Sequence, residues 1–389
     1  MWPTLFKIPW LELPIRSYGL MLMIGFLGGT WWAARRAART KCDPDLVINL
    51  GFAALVSSVV GARAFYVIHY WDRSFAGRGF RAVIDITAGG MEFYGGLIGA
   101  MVAVLAYLAI KRVSLRLYLD IVAPSLMFGM GMARIGCFLN GCCWGGACGP
   151  ELAWGVRFPY ASPAFHRQWE DRQVTVPAEL IVVFRDGTPA LLPRDFPEEV
   201  PEPLRRAERE LEAAERALAG VAGRGADAGE LERLTQARDR ARKAWREQLR
   251  PGALSDNQAR IFDLTHASLA AMARHPSHRT QPVHPAQLYA SAGGFLLAWL
   301  LNALFYRRRR HGVVVGVLFL TYPVMRIVEE IIRVDNPHDA AGLTASQFVS
   351  LLLLAMGAGW MIAIRRLPLR SPKAVPFKPP WEEARSRRK

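Results

Sequence analysis

The sequence predicts an all-α polytopic membrane protein with seven transmembrane helices and an extracytoplasmic helical-hairpin insertion. Three observations carry this expectation. Seven apolar blocks approach the roughly 20 residues that a helix needs to cross a bilayer. Lys and Arg cluster directly after alternate blocks, and such a bias sets the orientation of membrane helices. Between the fourth and fifth blocks lies one long polar stretch with helical charge patterning. The 389 residues are 52% hydrophobic with net charge +16, and the mean hydropathy of +0.13 averages these unlike parts. Because the positive charge sits beside apolar blocks, it points to the lipid bilayer, and no nucleic-acid partner is expected.

The N-terminus has neither the basic segment nor the small-residue cleavage site of a secretory signal, so the first block, residues 18–34, is expected to stay in the membrane. Arg35, Arg36, Arg39 and Lys41 follow it. The second block, residues 46–70, carries Arg63, and residues 72–88 form a polar link. A glycine-dense arm, Gly89 to Gly99, opens the third block, which ends at Lys111 and Arg112; glycines this dense let backbones approach each other or a ligand closely. The fourth block, residues 117–139, breaks into a turn holding Cys137, Cys142, Cys143 and Cys148. No pair of these has C-x-x-C spacing, so neither zinc nor thioredoxin-type chemistry is expected. They are read as small buried side chains, with one disulfide as the alternative if the turn lies outside.

Four regions result: residues 1–143 with spans one to four and the outer arm, an extracytoplasmic insertion over 144–281, spans five to seven over 282–366, and a basic cytoplasmic tail over 367–389. Within the insertion, Leu204, Ala207, Leu211, Ala214 and Leu218, then Leu231, Leu234, Ala241 and Trp245, repeat at helical spacing. They predict an antiparallel helical hairpin at about 202–249, with a narrow apolar seam and a solvated charged face. Basic residues after the first, third, fifth and seventh blocks place that side in the cytoplasm, with the N-terminus outside and the C-terminus inside. Arg73, Arg78 and Arg81 fall on the other side, outweighed by four agreeing loops.

With that orientation the embedded polar residues gather at the outer face: Tyr18, Glu92, Tyr94, Arg134, Asn140, His284, Gln287, Tyr289, Arg326, Glu330 and Arg333. A guanidinium in an apolar span costs roughly 2.5 kcal/mol or more near the bilayer centre and survives where it meets a partner or a polar cavity. Arg326, Glu330 and Arg333 share one helix face at i, i+4 and i+7. Glu329 is rotated away from Glu330 by about 100 degrees and is read as serving elsewhere. Such a stripe can be a salt-bridge seam between helices. Arg134, Arg326 and Arg333 nevertheless outnumber the nearby carboxylates, and an unbalanced cationic cluster at a membrane surface calls for an anion such as phospholipid phosphate. Arginine suits phosphate because its planar fork donates two hydrogen bonds at once.

At these residues the chain resembles the bacterial phosphatidylglycerol–prolipoprotein diacylglyceryl transferases. The resemblance rests on Ile15-Arg-Ser-Tyr-Gly-Leu-Met, Gly61-Ala-Arg, Gly89-Gly-Met with Phe93-Tyr-Gly-Gly-Leu-Ile-Gly, and Arg134-Ile-Gly with Asn140-Gly. His284-Pro-Ala-Gln-Leu-Tyr, Arg326 with Glu330 and Arg333, and Leu343-Thr with Gln347 complete it. They follow family order through the membrane portion and leave out the helical insertion. The resemblance implies a seven-span enzyme of the bacterial plasma membrane that moves the diacylglyceryl group of phosphatidylglycerol to the lipobox cysteine of a prolipoprotein signal peptide. A thioether forms, glycerol phosphate leaves, and neither metal nor organic cofactor takes part.

The same resemblance assigns Arg134 and Arg326 as essential arginines, with Tyr18, Asn140, Gly145, Glu330 and Arg333 as further signature residues. Catalytic roles are expected for Arg134, Arg326, Tyr94 and Glu330. Substrate binding is expected of Tyr18, Arg63, Gly95, Gly96, Asn140, Gly145, His284, Gln287, Tyr289 and Arg333. Two departures stand out: Tyr94 occupies a position where many members carry a histidine proposed as base, and Cys137 and Cys142 replace a common asparagine and glutamate. Two other classes compete. A phospholipid or small-anion transporter could use the same arginines, but would show broken helices in two repeated halves, and no such repeat is present. A membrane thiol-redox protein built on the four clustered cysteines would want a vicinal redox pair and a quinone pocket; Cys142 and Cys143 are adjacent but lack C-x-x-C spacing.

Overall fold

Each apolar block becomes a helix, since in an apolar medium only a closed backbone ladder satisfies every N–H and C=O. The computed structural model describes residues 4–8, 13–75, 79–85, 89–149, 151–183, 189–192, 202–222, 228–248, 271–333, 343–374 and 376–377. A two-stranded antiparallel hairpin, β1 (Thr4–Ile8) and β2 (Leu13–Arg16), comes first, with Ile8 opposite Leu13. It runs directly into α1 (Ser17–Arg39). Next, α2 (Pro44–His69) is started by Asp43, whose side chain accepts from the Asp45 N–H at 2.9 Å, with Pro44 pre-set at the first helical position. A π turn at Trp71–Phe75 and the short α3 (Phe80–Ile84) form the link before α4 (Phe93–Ile110) and α5 (Leu115–Asn140).

After α5 come α6 (Pro163–Glu170), the strand pair β3 (Ile181–Val183) and β4 (Pro189–Leu191), then α7 (Glu202–Ala222) and α8 (Ala228–Gln248). The last three long helices are α9 (Ala286–Arg307), α10 (Val313–Ile332) and α11 (Ala345–Arg365). Among the described residues, five helices are long and apolar enough to cross a membrane: α2, α4, α5, α9 and α11. Two others, α1 and α10, have 23 and 20 residues and fall outside this group. The first is diluted by glycines and tryptophans, and the second carries Arg326, Glu329 and Glu330.

The chain divides into two compact units, Trp2–Asn140 with Ala286–Lys389, and Gly141–Pro285. In the helical unit, α2 packs on α4, α1 and α9 pack on α5, and α11 packs on α10. Small residues set two of these approaches. A Cβ on Gly95 would stand 2.4 Å from the Gly61 carbonyl oxygen, and one on Gly294 would stand 3.2 Å from the Gly131 Cα. Such contacts let helices pack closely where burial of apolar surface cannot drive them together. Ala33, Ala37, Leu50, Ile121, Leu301, Phe305, Val314 and Leu318 form part of its core. Outward-facing Val56, Val60 and Ile68 on α2, with Ile98, Val102 and Ile110 on α4, leave an exposed apolar surface that suits lipid.

The arginine-rich end of this unit is sealed. Asp120 of α5 forms an ion pair with Arg308, its Oδ2 2.9 Å from Nε, and accepts from the backbone N–H groups of Gly312 and Val315 at 2.8 and 3.0 Å, capping α10. Arg36 donates to the Ile121 carbonyl and to Asn302 Oδ1, the latter at 3.0 Å, and its guanidinium lies over Trp32 and Phe305. The chain after α11 runs back across this end. Arg116 donates to the Pro368 carbonyl, the His311 N–H to that of Leu369, and the Ser371 N–H to His311 Nδ1. Burial first, then Arg308, Arg116 and Arg370, hold the His311 pKa down to about 4, so its ring is a neutral acceptor.

The second unit is closed by its own ends. The Gly145 N–H donates to the His284 carbonyl at 2.9 Å and the His284 N–H to that of Gly146 at 3.0 Å, while Val156 and Val283 exchange both backbone bonds. Trp144, Phe158, Ala164 and Val283 fill the space behind. Ser162 caps α6 by accepting from the Phe165 N–H at 3.2 Å, and Tyr160 donates between the Leu180 and Leu192 carbonyls above a second core. Within α7 and α8, Ala207, Leu211 and Trp245 are buried together with Ala241 beside them. These are seam positions that the heptad-like spacing marks; Leu231, also on that spacing, is exposed.

Candidate active site

The site begins with three helix ends. Near the C-terminal end of α5 stands Arg134, and near that of α10 stand Arg326, Glu329 and Glu330. Pro323, one turn before, has no N–H to give and so interrupts the α10 ladder just ahead of the charged run. The third end is the start of α11, fixed by a reciprocal capping box. Thr344 Oγ1 accepts from the Gln347 N–H at 3.2 Å and Gln347 Oε1 accepts from the Thr344 N–H at 3.0 Å. This cap explains why Thr344 and Gln347 belong to the motif set, and it presents Ser346 to the site.

Arg326 is buried, and both of its Nη atoms have partners. Its Nη2 lies 2.7 Å from Glu330 Oε2 and donates to Ser346 Oγ at 2.8 Å, and its Nη1 reaches Glu329 Oε2 at 3.5 Å. That same Glu329 oxygen stands 3.9 Å from Arg134 Nη2. One carboxylate therefore sits between guanidiniums from two helices, at distances longer than the 2.7–2.9 Å of a tight charge-assisted bond. The expectation that Glu329 serves elsewhere is corrected by this contact: a rotation of about 100 degrees along α10 turns Glu329 toward α5, where Arg134 is waiting. Sequence spacing along one helix could not reveal a partner on another.

Other expected residues are placed as follows. Tyr18 lies at the start of α1, half exposed, with its ring against Gly136 of α5, where a Cβ would meet it at 3.1 Å. Gln287 is fully buried in the first turn of α9, and Tyr289 is half-buried there. One turn on, Ser291 Oγ donates to the Gly131 carbonyl at 2.9 Å, fixing α9 to the turn of α5 before Arg134. Asn140 ends α5, and Arg333 ends α10 with its N–H on the Glu329 and Glu330 carbonyls. Gly145 and His284 pair with each other through their backbones within the second unit.

Arg63 ties α3 to the start of the outer arm. Nε donates to the Val83 carbonyl at 2.8 Å, Nη2 to Ala82 at 2.7 Å, and Nη1 to Gly89 and Gly90 at 2.7 and 3.0 Å. It also lies over the Tyr66 and Phe75 rings. Gly95 and Gly96 face the α2 backbone, and a Cβ on Gly95 would stand 2.3 Å from the Phe65 Cβ. Tyr94 is 40% exposed and its ring meets Phe93 edge-on. Beside the arm, His69 Nδ1 and Glu92 Oε1 are 2.8 Å apart, a contact between α2 and the cap of α4 that no motif announced. No disulfide joins the cysteines among the described residues.

Fold and site together define a polytopic membrane protein that buries an arginine–carboxylate cluster at one end of a helix bundle. A family model described as prolipoprotein diacylglyceryl transferase matches residues 3–363. The chain belongs to the prolipoprotein diacylglyceryl transferase family. It is 29% identical over 379 residues to a phosphatidylglycerol–prolipoprotein diacylglyceryl transferase of Rhodopirellula baltica, covering 88% of this chain and 70% of that protein. Proteins of the same name from Photobacterium profundum and Vibrio cholerae are 36% and 37% identical over 177 and 164 residues. Those matches cover 45% and 41% of this chain and 62% and 58% of the relatives. Membership in this family gives the transporter reading no support.

Proposed function

We propose that the protein transfers the diacylglyceryl group of phosphatidylglycerol to the cysteine thiol of a prolipoprotein lipobox, the first step of lipoprotein maturation. The single observation that carries the reading is the convergence of Arg134 and Arg326 on one point from separate helices. The acceptor sulfur attacks the glycerol carbon that bears the phosphate ester. A C–S bond forms, the C–O bond to phosphate breaks, and glycerol phosphate leaves carrying the bond's electron pair. The thiol gives up its proton before or during attack, to solvent or to the departing phosphate.

Negative charge grows on the leaving phosphate, so Arg134 and Arg326, fixed in advance, lower the barrier; one such donor is commonly worth on the order of 10²-fold or more. Glu330 and Ser346 orient Arg326 by holding one face of its fork. A free thiol, with a pKa of about 8.5, is already a few per cent thiolate near neutrality, and neighbouring guanidiniums raise that fraction. Tyr94 serves as a hydrogen-bond partner for substrate, its phenol able both to donate and to accept. Tyr18, Asn140, Gln287, Tyr289 and Arg333 bind substrate, with Arg333 nearer the exit. Arg63, Gly95 and Gly96 serve binding through the arm whose backbone they hold. Gly145 and His284 contribute through their paired segment.

In this reading α1, α2, α4, α5, α9, α10 and α11 span the bacterial plasma membrane. The arginine-rich end faces the cytoplasm, following the positive-inside bias, and the α7–α8 hairpin lies outside. The test is to incubate the purified protein with phosphatidylglycerol and a lipobox peptide and to weigh the peptide by mass spectrometry. The peptide is expected to gain one diacylglyceryl group on its cysteine. An unchanged peptide mass overturns the reading.

A further inference from the structure

Glu329 has no place in the chemistry just described, yet it holds the central position in the cluster. Its Oε2 lies between the two guanidiniums, at 3.9 Å from Arg134 and 3.5 Å from Arg326. Its side chain is 11% exposed and those of the arginines 12% and 9%, so solvent screens these charges weakly. Glu330 supplies a second carboxylate at 2.7 Å from Arg326. Two guanidiniums and two carboxylates sum to zero before any ligand arrives. Arg333, at the end of the same helix, adds one positive charge nearby.

A site meant only to bind phosphate as tightly as it can would not place a carboxylate between its arginines. The placement makes sense when the charges of substrate and product are compared. A phosphodiester headgroup carries one negative charge, whereas the released phosphomonoester carries nearly two above a pH of about 6. A carboxylate at this spot opposes both, and opposes the second charge of the product in addition. Its Oε2 stands beyond tight hydrogen-bond distance from either arginine, so it biases the site's charge without locking the forks.

We propose that Glu329 is a built-in counter-anion that sets this site to accept a singly charged phosphodiester and to reject a doubly charged phosphomonoester. This rests on the diacylglyceryl-transfer reading and makes Glu329 a positioning residue that favours product departure. It acts through Arg134 and Arg326 and touches no reacting atom.

The experiment measures inhibition of transfer by two small probes at about pH 8: dimethyl phosphate, a monoanion, and methyl phosphate, a dianion at that pH. The wild-type protein is expected to bind the diester probe more tightly than the monoester. In Glu329→Gln the monoester inhibition constant is expected to fall on the order of tenfold and the preference to reverse, because one nearby negative charge is gone. Glu329→Asp, which keeps the charge, is expected to keep the wild-type preference. A wild-type protein that prefers the monoester overturns the proposal, and that measurement decides even if the glutamine variant does not fold. A Gln variant whose ratio moves by less than about twofold, or Gln and Asp variants that shift alike, also overturns it. Failure of the wild-type protein to transfer at all strikes the reaction itself, a separate result.

Discussion

Two buried charge clusters lie at opposite ends of the helical unit, and they are built on different rules. At the arginine-rich end, Asp120 is fully buried and holds Arg308 and two backbone N–H groups at 2.8–3.0 Å. At the other end, Glu329 stands 3.5 and 3.9 Å from its two arginines. The first carboxylate is saturated by short contacts and joins helix ends. The second is loosely shared between cations that come from different helices. A buried ion pair at its best geometry can do nothing but hold; one kept at arm's length can exchange partners with an arriving anion.

The comparison is broken most sharply by removing arginines. Arg134→Ala and Arg326→Ala are each expected to reduce transfer to a lipobox peptide on the order of 10²-fold or more, measured as initial rate by mass spectrometry. Near-normal rates in both variants would mean the loose cluster is only structural. Asp120→Ala should do the reverse. It strands Arg308 in the interior and is expected to cost about 3–5 kcal/mol of stability in a detergent unfolding titration, with turnover per folded molecule retained. A variant that stays stable but loses turnover would erase the distinction between the two ends.

Ser346→Ala removes one hydrogen bond to a charged group, worth about 1.5–3 kcal/mol, and is expected to slow transfer roughly tenfold while leaving the melting temperature near that of the wild type. For Tyr94→Phe the expected loss is severalfold, the worth of a neutral hydrogen bond of about 0.5–1.5 kcal/mol. Full activity would remove Tyr94 from the chemistry.

The smallest effect concerns pH at the sealed end. His311 has its pKa lowered to about 4 from an ordinary value of 6.5, so above 6.5 it is neutral whether the chain is folded or not, and its contact with Ser371 is intact. As pH falls from 6.5 toward about 4, the unfolded chain takes up a proton that the folded one refuses, and stability drops across that window. His311→Asn is expected to flatten this dependence in unfolding titrations. An unaltered slope would show that the ring does not titrate there.

Apolar blocks and basic flanks made the helices legible in the sequence, because period and hydropathy are local properties of the chain. Leu211 and Trp245, both at seam positions of the helical spacing, are buried in one cluster. The N-terminal β1–β2 pair is not legible in the sequence, since Pro14 and scattered apolar residues give no clean alternation. Within the site, the i, i+4 relation of Arg326 and Glu330 could be read directly, and the two residues meet at 2.7 Å. Glu329 could not, since its second partner lies on α5. The same limit hid Asp120 and Arg36, whose partners are Gly312, Val315 and Asn302 on distant helices or loops. Arg63 shows the converse: its type and place suggested a ligand, but its partners are four backbone carbonyls whose position depends on how the arm folds.

The backbone clasp between Gly145 and His284 has a consequence for how this gene can change. Since the polypeptide between Gly145 and His284 leaves and returns at almost the same point, its interior can lengthen, shrink or be exchanged at modest entropic cost. Ser291 meanwhile ties α9 to α5 without help from that segment. The region thus behaves as a cassette, and natural variation in chain length among homologous proteins is expected to concentrate there.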